Sequence, residues 1–199
     1  VPGWHTTIFA PYFVAGAIFS GTAMVLTLGI PMRKILGLEA YITVDHFEKL
    51  TKLLLFTSLI VTYAYIVEIA LAWYGSHQFE TAHFSYRLFG DYWPLYALMV
   101  LCNCLVPLLI FVKRLRRNLT FLFILSILVN IGMWLERFVI IVTALAKEYD
   151  PYSWGIYKPS LVEIGISIGS FGMFFTFFLL FTKLLPVISI TEIKEREHA

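Results

Sequence analysis

The 199-residue chain is 59% hydrophobic and only 14% charged, with a mean hydropathy of +0.80. Soluble domains carry about 25% charged residues, so this composition excludes one and reads as an integral membrane protein. The formal net charge of +2 is too small to serve nucleic acid.

Five apolar runs in chain order predict an all-α, polytopic transmembrane helix bundle, a span needing about 20 apolar residues. The first covers about 8–30 and is expected to break at its exit, at Gly29 and Pro31. Small residues four apart within it, Gly16/Ser20 and Ala17/Gly21, let a neighbouring helix approach closely. The second covers about 50–74 and carries Glu68; Asp45 and His46 precede it, and Lys49 and Lys52 can snorkel to the interface. The third, about 93–112, holds Asn103 and is expected to kink at Pro107. The fourth runs from 119 to 146 and holds Asn130, Glu136 and Arg137. The fifth, about 161–185, begins near Glu163. The chain opens Val-Pro-Gly-Trp, with neither an initiator Met nor a charged segment, which reads as part of a longer polypeptide and not as a signal peptide.

Lysine and arginine set an expected orientation. With the N-terminus outside, the inner segments hold Arg33, Lys34, Lys49, Lys52, Lys113, Arg114, Arg116, Arg117, Lys183, Lys194 and Arg196, and the outer ones Arg87, Lys147 and Lys158. That asymmetry predicts an outside N-terminus and a cytoplasmic C-terminus. Glu136 then lies roughly 26 Å from the inner end of its span and 15 Å from the outer, and Glu68 about 9 Å from its outer end. Any chemistry is expected in the outer half, where Trp4, His5, Asp91 and Glu163 also fall.

Each ionised group near a helix centre costs about 2.5–3.5 kcal/mol, so Glu136 and Arg137 must face a protein interior or a wet cavity. Adjacent residues project about 100° apart and cannot both face one partner squarely. Arg137 is therefore expected to pair with a carboxylate on another helix, Glu68 first, as a structural ion pair. A carboxylate left without a cation suits proton transfer from a hydroquinone. Two readings stay open: Glu68 and Glu136 as candidate catalytic proton acceptors, or as braces for Arg137. Asp91, Glu163, Asp45 and His46 are candidates for a proton path, and His5 with Trp4 for a quinol head-group contact.

No metal site is expected. Cys102 and Cys104 are the only cysteines and point to different faces of a helix. There is no Cys-x-x-Cys-His for covalent haem, and the five histidines lie at span ends or between spans, where they cannot ligate a haem inside the bundle.

Longer stretches carry a resemblance. Residues 2–21 (PGWHTTIFAPYFVAGAIFSG), 90–96 (GDYWPLY), 130–138 (NIGMWLERF) and 181–186 (FTKLLP) resemble the NrfD/PsrC-like membrane subunits of bacterial quinone-linked oxidoreductases. The match looks nearest to the large NrfD-like subunit (ActC) of alternative complex III. The resemblance implies that residues 1–199 form a single transmembrane domain, the C-terminal half of a ten-span subunit: a four-helix bundle plus a last helix. It further implies menaquinol or another quinol bound near the outer face, with no covalent cofactor on this chain. Electrons would pass to an iron–sulfur, molybdopterin-oxidoreductase-like partner and on to c-type haems in cytochrome subunits, beside a second NrfD-like membrane subunit. The same resemblance leaves room for a membrane anchor of a molybdopterin-type complex such as polysulfide reductase, or for a purely structural anchor. From another class, half of a secondary transporter is disfavoured by the lack of a broken helix beyond Pro107.

Overall fold

A computed structural model describes residues 7–75, 78–146, 152 and 155–185, which fall into two units, one up to Ile156 and one from Tyr157 on. In the first unit α1 (Phe9–Ile35), α2 (Val44–Tyr74), a short α3 (Gln78–Phe89), α4 (Trp93–Val100), a four-residue α5 (Lys113–Arg116) and α6 (Leu119–Ala146) follow one another. The second unit contributes α7 (Leu161–Leu184). The described residues contain no strand, and five of the helical segments are long and apolar enough to cross a membrane. The expected all-α, five-span architecture is what the chain adopts.

The bundle core runs along the facing stripes of α1, α2, α4 and α6, through Phe19, Leu26, Leu54, Val61, Met99, Leu122, Val129 and Val139. Gly16 lets α6 come close, since a Cβ there would lie 3.3 Å from Met133 Cε. Its companions Ala17 and Gly21 do not share that role: both are exposed, and nothing lies within 4 Å of a Cβ at Gly21.

Three boundaries differ from expectation. α1 continues through Pro31 to Ile35, so Pro31 lies inside the last two turns of the helix and does not end it. α2 starts at Val44, earlier than expected. The Thr43 backbone N–H donates to His46 Nδ1 at 3.1 Å, and the Thr43 hydroxyl sits 2.8 Å from the same atom. Its first turn is then pinned by Glu48, which accepts from Arg116 Nε at 3.1 Å and Arg117 Nη1 at 2.8 Å, while Asp45 accepts from Arg117 Nη2 at 3.0 Å. This knot ties α5 to the basic end of the bundle.

The third difference is at Pro107. α4 passes into a π-helical turn (Leu101–Leu105) and then a 3-10 stretch (Val106–Phe111), a deeper disruption than a kink. Proline has no N–H to offer the carbonyl four residues back, which is that of Asn103. Ser58 on α2 donates to that freed carbonyl at 2.8 Å. The turn also carries the Asn103 side chain into the bundle, where it is fully buried. Gly132 on α6 makes room for it: a Cβ there would strike Asn103 Oδ1 and lie 2.6 Å from Cys102 Cβ. Gly132→Ala is therefore expected to cost about 1–3 kcal/mol of overpacking, read as a lower thermal midpoint of the solubilised protein.

Candidate functional site: a buried carboxylate cavity

Helical spacing brings the polar side chains to one place. Tyr65 and Glu68 are three apart on α2, Tyr96 and Met99 three apart on α4, and Glu136, Val139 and Ile140 occupy one face of α6. Together with Tyr12 of α1 and Arg87 of α3 they line a cavity of ≈ 10 Å³, about the space one water molecule needs.

Glu136 is fully buried. The Tyr65 hydroxyl donates to its Oε2, and Asn103 Nδ2 donates to the Tyr65 hydroxyl at 3.1 Å and to Glu136 Oε2 at 3.4 Å. The Tyr12 ring packs edge-on against Tyr65 at 5.7 Å between centroids. Glu136 Oε1 and Asn103 Oδ1 are buried without a hydrogen-bond partner among the described residues. A carboxyl group held through one oxygen and lining a water-sized space can exchange a proton without losing its place.

Glu68 lines the same cavity from the α3 side and pairs with Arg87, whose Nη1 lies 3.5 Å from Glu68 Oε1. Arg87 is only 3% exposed and His83 only 4%. The two are four apart, so they form the inward stripe of α3; Arg87 Nη2 lies 3.1 Å from His83 Nε2, and its guanidinium stands 5.0 Å from the Phe84 ring centre. Sequence reasoning placed Arg87 in a loop between spans and left α3 unseen.

The expected pairing of Arg137 with Glu68 is overturned, because Glu68 is taken by Arg87. Arg137 instead lies with Nη1 4.0 Å from Glu136 Oε1, too long for a hydrogen bond, and its guanidinium rests 4.1 Å above the Phe13 ring centre. The 100° between neighbours on α6 explains the long contact: Glu136 points into the bundle while Arg137 lies along the α1–α6 seam.

Asp91, Asp45 and His46 do not line this cavity. Asp91 is exposed in the turn after α3 and accepts from the Tyr86 hydroxyl at 2.5 Å; burial and the Asp91 carboxylate push that hydroxyl up to about 12, so it remains a donor at neutral pH. Asp45 and His46 sit at the basic end, in the ion pair and cap already described. Glu163 caps α7 in the second unit: its Oε2 accepts from the Ser160 backbone N–H at 2.6 Å and hydroxyl at 2.8 Å. Trp4 and His5 lie outside the described residues.

Among the described residues no group of three or more His, Cys, Asp or Glu could hold a metal ion, and both cysteines are free and buried. The side chains around the cavity are carboxyl, phenol and guanidinium groups, chemically able to bind protons and to balance charge.

Two comparisons bear on this arrangement. The family described as polysulphide reductase, NrfD matches residues 1–147. The integral membrane subunit of menaquinone reductase from Nitratidesulfovibrio vulgaris is 28% identical over 172 residues, which cover 83% of this chain and 40% of that protein. The chain thus spans less than half the length of this curated relative.

Proposed function

This chain belongs to the NrfD family of multi-pass membrane proteins, and we propose on that premise that it is part of the membrane subunit of a quinone-linked redox complex, handling the protons of quinone chemistry at Glu68 and Glu136. The observation that carries the reading is the shared cavity: the buried Glu136 carboxyl, the partly buried Glu68 carboxyl, three tyrosines and one arginine around space for a single water. The relative's printed role in menaquinone reduction supports menaquinone or menaquinol as the substrate class.

Oxidation of a hydroquinone releases two electrons and two protons. The electrons leave to an iron–sulfur partner subunit, and Glu136 and Glu68 each take one proton, the tyrosines passing hydrogen bonds between them. In the opposite direction the same groups deliver protons to a quinone. A space of ≈ 10 Å³ admits a water and not a quinone ring, so the carboxylates act on protons at one remove. The head-group is assigned outside the cavity, to the segment bearing Trp4 and His5. By the lysine and arginine asymmetry the carboxylate end faces the outside of a bacterial plasma membrane and the basic end the cytoplasm.

The finer assignment is alternative complex III, with c-type cytochromes and a second NrfD-like subunit as partners; it rests on the shared stretches at 2–21 and 130–138. The runner-up is an anchor for a molybdopterin-type reductase, favoured by the family description and by the relative's direction of reaction. Quinol oxidation by the assembled complex carrying Glu68→Gln tests the proton role. Turnover is expected to fall at least about tenfold with KM little changed, since the group touches protons and not the ring. Native turnover in an assembled Glu68→Gln complex would remove Glu68 from the proposal.

A further inference from the structure

Arg137 is an intramembrane cation that the described residues leave without a hydrogen bond. Its side chain is 35% exposed, the buried Nη1 has no hydrogen-bond partner, and the nearest carboxylate oxygen is 4.0 Å away on an adjacent residue already engaged by Tyr65 and Asn103. Guanidinium offers five donors in a planar fork and stays charged throughout the accessible pH range. In hydrocarbon such a group needs an anionic or carbonyl partner on its open side.

The surroundings describe what that partner is. On α6, Trp134 and Ile141, three residues before Arg137 and four after it, are 50% and 43% exposed. On α1, Ala10, Ala17 and Gly21 lie on the side next to Phe13, are all exposed, and leave a shallow small-residue stripe. Small residues at this spacing let another helix backbone come close, and Arg137 stands at the edge of the stripe. Arg137 is nine residues from the α6 terminus at Ala146, about 14 Å along the axis, so it lies within the length of the span and not at its end. The Glu68 carboxylate is engaged by Arg87 of α3.

We propose that the α1–α6 seam is an interface for a transmembrane helix from outside this chain that carries an Asp or Glu at the depth of Arg137. That carboxylate completes a charge-assisted pair with the open edge of the guanidinium. The interface does not depend on the proton role of Glu68 and Glu136, so a failure of one leaves the other intact.

The test uses the assembled membrane complex, with a photo-cross-linking amino acid in place of Trp134 and Arg137 left native. The expected adduct lies on a helix with an Asp or Glu within one turn of the linked residue. Arg137→Glu is then expected to cut the yield of assembled complex at least tenfold, and reversal of the identified acid to Arg to restore most of it. Adducts confined to lipid or to Leu161–Leu184 would overturn the proposal, as would native assembly of Arg137→Glu. A reversed pair that fails to restore assembly would overturn it equally.

Discussion

Glu136→Gln in the assembled complex is expected to slow quinone-linked turnover by about two orders of magnitude or more while the subunit still assembles. Gln keeps the side-chain shape and an oxygen that can accept from Tyr65 and Asn103, so the hydrogen bonds that fix the residue survive. What disappears is the ability to take up and release a proton, and positioned acid–base groups contribute about 10²–10⁴-fold. Glu136→Asp separates position from chemistry: it retains the carboxyl group but withdraws it by one methylene from Tyr65, and recovers part of the lost rate. An assembled Glu136→Gln complex with unaltered turnover would make Glu136 a packing residue.

Arg87→Met is expected to have the largest effect on stability. Glu68 would keep its partly buried position and lose its cation; breaking a buried pair by removing one partner costs about 3–5 kcal/mol, which is the upper range for a pair in which Arg87 alone is buried. Arg87 also holds α3 against the cavity, with His83 and the Phe84 ring beside it, so its loss frees the inward stripe of that helix as well. The measure is the fraction of subunit recovered in the solubilised complex and its thermal midpoint. The double variant Arg87→Met with Glu68→Gln should recover much of the loss, because no uncompensated charge remains. Equal loss in the single and double variants would assign the effect to α3 packing and not to the ion pair.

Much of the bundle was legible in the sequence because hydropathy and span length are one-dimensional signals. The span at 119–146 coincides with α6, and Pro107 marked the disrupted third span. The physical consequence of Pro107 was not legible, since the acceptor it frees is satisfied by Ser58, 45 residues earlier on another helix. The pairing of Arg137 failed for a related reason. Spacing on one helix says that Glu136 and Arg137 diverge, but not which neighbour each meets, and that depends on how α1 and α2 rotate about their axes. The carboxylate neighbourhood itself, Glu68 with Glu136, was reached from depth alone, and the cavity joins the two.

α3 was missed because its residues are too polar for a span and too few to stand out as a helix. One signal was available: His83, Phe84 and Arg87 form a stripe three and four residues apart. The tyrosines were missed because an aromatic at helical spacing in a membrane protein reads as packing. Only the hydroxyl geometry around Glu136 distinguishes Tyr65 from its neighbours.

The central claim is that Glu136 changes protonation as quinone chemistry proceeds. The redox-induced infrared difference spectrum of the assembled complex tests it most directly, comparing native protein with Glu136→Gln under identical quinol addition. A carboxyl C=O band that rises with quinol oxidation, shifts in heavy water and is absent from Glu136→Gln is the predicted result. The same band at full strength in an assembled Glu136→Gln complex would contradict the account.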